Sequence, residues 1–309
     1  MRQVLVRIPI PGTENGITLY GYGVAMCLGY LAAILWAARR AKRDGRPPEV
    51  IYNAALCCFF GGVFGARAFY VVQNSGQFPS LWDLVRIWEG GLTFYGGFLL
   101  ATLAVIVYLK VTRKPVLYWL DVIAPSLALG LAFGRVGCFL NGCCYGDVCR
   151  HGWGMVWPAG SIPWERFGET ALYPSQIYSA ANALVLAVVL HVMFHWRRRN
   201  GQVILMFAVL YGISRFLLEI IRADEVPEYL LGLPTLLRVL GMHARGEALA
   251  AGYGLTISQN IAIVMVIGGG LALVALARSR RPDLQVARRV PDGAATRGPP
   301  GRQKREKRY

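Results

Sequence analysis

Seven apolar runs decide what this chain can become. They lie near residues 20–38, 51–72, 92–112, 119–140, 174–194, 203–222 and 257–277. A bilayer core needs about 20 apolar residues per helix. Only 16% of the 309 residues are charged and 55% are hydrophobic, against about 25% charged in a soluble domain. The expected fold class is therefore all-α, a polytopic membrane protein with seven transmembrane helices. The fourth run is the least regular, because Asp121 and Pro125 interrupt its start. The first run is too long for a signal-peptide core and lacks a basic n-region of the usual kind, so it is expected to stay as a membrane helix. No internal repeat is visible, which gives no support to a transporter built from repeated halves.

Basic residues set the expected orientation. Arg39, Arg40, Lys42, Arg43 and Arg46 follow the first run, Lys110, Arg113 and Lys114 the third, and Arg197, Arg198 and Arg199 the fifth. The alternate loops carry few basic residues or mix them with Asp147, Glu165, Asp224, Glu225 and Glu228. Positive charge favours the cytoplasmic side, so the N-terminus is expected outside and the C-terminus inside. Much of the net charge of +16 sits in a tail over 278–309, where Pro291, Gly293, Pro299 and Pro300 point to disorder. A basic tail suits nucleic acid or anionic lipid; on a polytopic protein the lipid reading is preferred, and no nucleic acid is expected. The membrane domain is thus 1–277, with outer segments at 141–172 and 223–256. Both are long for plain connections and carry aromatics, among them Trp153, Trp157, Trp164, Tyr229 and Tyr253.

This topology places the unusual polar residues at one depth. Tyr22 starts the first helix, Arg67 ends the second and Tyr95 opens the third. Arg135 nears the end of the fourth, Tyr173 precedes the fifth, and Arg215, Glu219 and Arg222 end the sixth. A guanidinium stays charged and is costly at membrane depth unless it faces protein or a wet cavity. Arg67 near a helix end can snorkel outward, and Arg215 or Arg222 can pair with Glu219. Arg135 and Arg215 are harder to explain structurally, because Glu219 cannot neutralise every arginine at this depth. A cavity lined by arginine and tyrosine suits the phosphate of an anionic lipid, which guanidinium binds in bidentate fashion.

Cys27, Cys57 and Cys58 fall inside helices and read as small core residues. Cys138, Cys143, Cys144 and Cys149 cluster near the outer face, without the paired C-x2-C of structural zinc sites, so neither a metal nor any cofactor is expected. An oxidising exterior leaves disulfides open there. A catalytic thiol has no histidine at an obvious spacing, the nearest being His151. There is no phosphate-binding glycine loop, serine elbow, HExxH or dinucleotide fingerprint.

The segment GRVGCFLNGCCYG, from Gly134 to Gly146, resembles the signature G-R-x-G-N-F-x-N-G-E-x-x-G of the bacterial prolipoprotein diacylglyceryl transferases. Tyr20–Gly23, Gly65–Arg67, Asp121–Pro125, Tyr173–Tyr178 and Tyr211–Arg222 resemble further blocks of that family in the same order. The resemblance spans about 18–277. It implies a multi-pass enzyme of the bacterial plasma (inner) membrane, working as a monomer. Its reaction moves the diacylglyceryl group of phosphatidylglycerol to the lipobox cysteine thiol of prolipoproteins, forming a thioether and releasing glycerol phosphate. By resemblance Arg135 takes the lipid headgroup and Arg215 stabilises the leaving group and thiolate. Tyr95 completes the catalytic set, and Tyr22, Arg67, Asn141, Gly146, Glu219 and Arg222 join Arg135 in binding substrate. The substrate brings its own nucleophile, so the enzyme's cysteines are expected to be replaceable. The chain departs from the family at Tyr95 and Tyr173, where histidine is usual, at Cys138 for asparagine and at Cys143 for glutamate. Two other classes fit these residues: an anionic-lipid binder or transporter without transfer chemistry, and a membrane thiol-redox protein.

Overall fold

The computed structural model describes residues 4–8, 17–74, 91–150, 152–222 and 255–279. Seven of its helices are long and apolar enough to cross a membrane. We number the elements β1 (Val4–Ile8), β2 (Ile17–Tyr20), α1 (Gly21–Arg43), α2 (Glu49–Gln73), α3 (Phe94–Val111), α4 (Val116–Asn141), the short α5 (Ile162–Phe167), α6 (Ser175–Trp196), α7 (Gln202–Glu219) and α8 (Ile257–Arg278). The expected runs and the observed spans agree closely. The segment 223–256, which the sequence puts on the outer side, falls beyond the described residues except for Leu255 and Thr256, as does the tail after Ser279. Many spanning side chains face outward and are large and apolar, including Phe60, Phe64, Phe98, Val188 and Leu271. In water such a surface would be a liability; toward acyl chains it is the required one.

The all-α expectation needs one addition. A small antiparallel pair, β1 with β2, precedes α1 and carries a bulge between Val4 and Val6. Its Val, Ile, Leu and Thr residues favour extended backbone.

Alternating helix directions create two ends. We call the end at which α1 begins the proximal end. Small residues set the close approaches there. A Cβ at Gly29 of α1 would lie 2.5 Å from the Cβ of Phe133 on α4, and one at Gly65 of α2 would lie 2.5 Å from the carbonyl of Gly96 on α3. Such contacts suit a bilayer, where packing and not water drives helix association.

The distal end holds the largest core, built from residues such as Ile51, Leu109, Trp119, Val122, Leu190 and Phe194. Two of the basic residues that orient the chain in sequence, Arg40 and Arg197, are buried here. Arg40 donates to the carbonyl of Val122 and lies 4.5 Å from the Trp36 ring centroid. Arg197 pairs with Asp44 at 2.9 Å and lies over Phe194 at 3.5 Å. Arg197 thus serves as a packed, paired side chain at the helix ends.

Asp121 and Pro125 do not break α4. The helix begins at Val116 and runs through both. Pro125 removes one rung of the ladder, and Arg40 supplies donors beside it to Val122 and Ser126. Asp121 is fully buried and turns toward α7, where it accepts from the backbone N–H groups of Gly201, Val203 and Ile204. It therefore caps a neighbouring helix, because Gly201 has no side chain to do so.

Candidate functional site

The C-terminus of α4 is the centre of the proximal end. Gly142 adopts φ +76°, a left-handed conformation suited to glycine. The Gly142 N–H donates to Phe139 at 3.2 Å and the Cys143 N–H donates to Cys138 at 3.1 Å. This is a Schellman ending, which brings the side chains flanking the last turn together. Here those side chains are Cys138 and Cys143. Cys144 follows with φ +61°, uncommon for a residue other than glycine. The three sulfurs lie within 4.8 Å of one another.

The N-terminus of α6 holds this turn in place. Ser175 donates to the Cys144 carbonyl at 2.7 Å, and Gln176 donates to the Cys143 carbonyl at 2.8 Å. Both side chains are buried. Hydrogen bonds from Cys138 and Cys144, and then from Asn141, hold the Cys143 thiol below the usual thiol range, against the upward push of burial. Cys149 stands apart. It is buried, and its hydrogen bond with Tyr173 pushes that phenol upward.

Arg135 lies three residues before Cys138, on the same face of α4. It forms no hydrogen bond or ion pair with another described residue. Tyr22 joins it from α1: a Cβ at Gly137 would lie 3.1 Å from the Tyr22 ring. The Tyr22 hydroxyl lies in the field of Arg135, Cys138, Cys143 and Cys144 together. The sequence puts Tyr22 and Arg135 at one depth, and the α1–α4 packing brings them to one spot.

Arg215, Glu219 and Arg222 form a second group. Arg215 donates to Glu219 and, at 2.7 Å, to Ser258 of α8. Arg222 approaches the same carboxylate at 3.7 Å, and Thr256 donates to it at 3.1 Å. The sequence puts Arg222 on this helix, but it lies beyond it, because α7 ends at Glu219. The chain leaves the helix so that Arg222 can pair with Gly146 in a β-bridge, while Asp147 donates to Ile221 at 3.0 Å. Gly146 also donates to Tyr173 at 2.9 Å. A Cβ there would lie 2.6 Å from that of Tyr173 and 2.7 Å from the Ile221 carbonyl. Gly146 therefore acts as a crossing point for three strands of chain, and only glycine fits.

Arg67 and Tyr95 belong to the α2–α3 pair. Arg67 is buried and does not snorkel; it donates to Gly91 at 3.3 Å and lies 5.8 Å from the Tyr70 ring centroid. Tyr95 is about half exposed and stacks edge-on to Phe94. The Gly65–Gly96 approach puts both at the proximal end.

The segment 141–172 is folded over its described residues. Val148 and Met155 both bridge to Leu172, and α5 lies between. Trp157 is buried with Tyr145 and Leu172, against Phe139 and Trp164. Trp157 is thus a core residue of this segment and not an interfacial anchor, whereas Trp153 is exposed. The hold of Ser175 and Gln176 on the cysteine turn is not visible in the sequence. Both fall within the Tyr173–Tyr178 block, but the bonds cross more than thirty residues.

Comparison with known proteins fits this arrangement. The sequence profile described as prolipoprotein diacylglyceryl transferase matches residues 12–275. A phosphatidylglycerol–prolipoprotein diacylglyceryl transferase of Clostridium tetani is 31% identical over 209 residues, covering 68% of this chain and 83% of that protein. One of the same name from Pseudomonas putida is 29% identical over 286 residues, covering 90% and 97%. One from Thermotoga maritima is 31% identical over 216 residues, covering 69% and 73%. With its seven spanning helices, the chain is a multi-pass membrane protein and belongs to the prolipoprotein diacylglyceryl transferase family.

Proposed function

We propose that this chain transfers the diacylglyceryl group of phosphatidylglycerol to the lipobox cysteine of prolipoproteins. The observation that carries the reading is Arg135. It is a permanent cation at the end of a spanning helix, in the family signature, with no ion pair to a described residue. A phosphate in the adjacent leaflet is its natural counter-ion. Tyr22 beside it can hydrogen-bond the headgroup, and Asn141 and Gly146 shape the turn that follows.

Arg215 has a different role. Glu219 and Ser258 hold its planar fork in one orientation, so that it is set before substrate arrives. Charge develops on the glycerol phosphate oxygen as its bond to carbon breaks. A pre-set guanidinium stabilises that charge without reorganising. Arg222 shares the Glu219 carboxylate, and Arg67 and Tyr95 line the α2–α3 side. The protein works as a monomer in the bacterial plasma (inner) membrane, N-terminus outside, with the proximal end toward the outer leaflet. The basic tail faces cytoplasmic anionic lipid and no nucleic acid is bound.

The test is direct. Chain reconstituted with phosphatidylglycerol vesicles and a lipobox peptide should yield a thioether-linked product by mass spectrometry, and should rescue a strain depleted of its transferase. Headgroup binding without product would make it a lipid-binding relative. A C-terminal epitope cut by protease in intact cells would overturn the orientation.

A further inference from the structure

We propose that Cys138, Cys143 and Cys144 form a three-thiolate zinc site whose fourth position takes the thiol of the peptide substrate. This rests on the transferase reading above.

The geometry is close to that of a metal site. Zinc binds thiolate at about 2.3 Å in a tetrahedron, which places sulfurs roughly 3.8 Å apart. The three sulfurs here are already within 4.8 Å of one another. The positions come from backbone and not from flexible side chains. The Schellman ending brings Cys138 to Cys143, the left-handed residue Cys144 turns its side chain back, and Ser175 and Gln176 hold both carbonyls. All three thiols are half-buried and remain reachable, whereas Cys149 is buried elsewhere. The linear spacing hides this, because a C-x4-C-C run lacks the usual zinc pattern; the helix ending closes what the spacing keeps apart.

Charge supports the same site. Three thiolates and one Zn2+ carry a net negative charge, and Arg135 lies on the same helix face without an ion pair to a described residue. Three protein ligands also leave a fourth position open, which is the mark of a reactive zinc site. A thiol that binds there is deprotonated. Among the described residues the site shows no other obvious base: His191 and His195 are near the distal end of α6, and Glu219 is engaged by Arg215, Arg222 and Thr256.

The step balances. The peptide thiol binds zinc and gives up its proton to water. Its sulfur attacks the glyceryl carbon that carries the phosphate oxygen. The S–C bond forms as that C–O bond breaks, and the bonding pair leaves with glycerol phosphate, which takes up one proton. Zinc changes neither oxidation state nor charge. The neutral thioether is a weaker ligand than a thiolate and departs.

The experiment uses the full chain in lipid nanodiscs. Metal analysis should find on the order of one zinc per chain. Cys138→Ser, Cys143→Ser and Cys144→Ser should lose it, and Cys58→Ser should keep it. With Co2+ in place of zinc, a lipobox peptide should strengthen the thiolate charge-transfer bands, and its Cys→Ser version should not. If the serine variants fail to fold, zinc should still protect these three thiols of the unaltered chain from alkylation, with exposed Cys27 unprotected. No bound zinc, a disulfide between any two of the three, or cobalt bands indifferent to the peptide thiol would overturn the site. Full transfer by chain stripped of metal would overturn it while leaving the transferase reading intact. Peptide-thiol coordination without transfer would support the site and sink the transferase reading instead.

Discussion

The carboxylate of Asp121 accepts a hydrogen bond at 2.7 Å from the N–H of Gly201, a residue on a different spanning helix hairpin. With Val203 and Ile204 it closes the first turn of α7 from outside that helix. An anion at a helix N-terminus is stabilised by orphan N–H groups and by the dipole.

Replacement of Asp121 by alanine strands those donors in a buried place, and leaves Arg197, 4.0 Å from the carboxylate, without that charge. The expected loss is about 3–5 kcal/mol, as for other broken buried charge pairs. Asp121→Asn keeps an acceptor and should lose less. Thermal unfolding in one fixed detergent or nanodisc composition checks both. Equal melting of Asp121→Ala and the parent chain would remove Asp121 from its role as a cap.

Glu219 is the corresponding joint at the proximal end. It is buried and meets Arg215, Arg222 and Thr256. Glu219→Gln leaves two guanidiniums around a neutral amide. Removing one partner of a buried pair costs about 3–5 kcal/mol. The expected result is a lower melting temperature together with weaker transfer, since Arg215 loses its orientation. Limited proteolysis near Arg222 should accelerate, because the Gly146–Arg222 bridge hangs on the same turn.

The two arginines of the proposed chemistry differ in a testable way. Lysine keeps the charge and loses the planar fork. Arg215→Lys cannot reach both Glu219 and Ser258 as the guanidinium does. Transfer should fall by roughly 100-fold or more, the usual cost of one lost transition-state donor. Arg135→Lys should mainly weaken use of phosphatidylglycerol. Initial rates against lipid mole fraction separate these cases. Near-parent rates for both variants would exclude a bidentate clamp.

Much of this fold is legible in sequence because membrane physics is severe. Twenty apolar residues read as a span wherever they fall, and the seven observed helices match them. The shared depth of Tyr22, Arg135 and Glu219 follows from alternation alone. What the sequence hides is long-range and polar. The mismatch of Asp121 with its own helix is resolved only by α7, and the burial of Arg40 and Arg197 only by Trp36 and Phe194. The end of α7 at Glu219 is set by Gly146, far earlier in the chain. The meeting of three thiols depends on one helix ending and on Ser175 and Gln176.

Tyr95 carries the last prediction. It opens α3 at the proximal end, and the Gly65–Gly96 contact fixes how far α3 stands from Arg67 on α2. Its side chain is about half exposed, so its hydroxyl can meet a headgroup or an incoming thiol. A phenol with pKa near 10 is a weak base at neutral pH, so its expected part is to orient. One hydrogen bond to a charged group contributes roughly 1.5–3 kcal/mol. Tyr95→Phe should therefore lower transfer by about 10- to 100-fold without lowering the melting temperature. Tyr95→His restores a donor and adds an acceptor that titrates near neutrality, so its transfer should exceed that of the Phe variant and gain most as the pH rises above about 6.5. Rates for both variants, at equal membrane levels and across pH, decide the matter. Parent-like rates in both would reduce Tyr95 to an aromatic anchor at the bilayer surface.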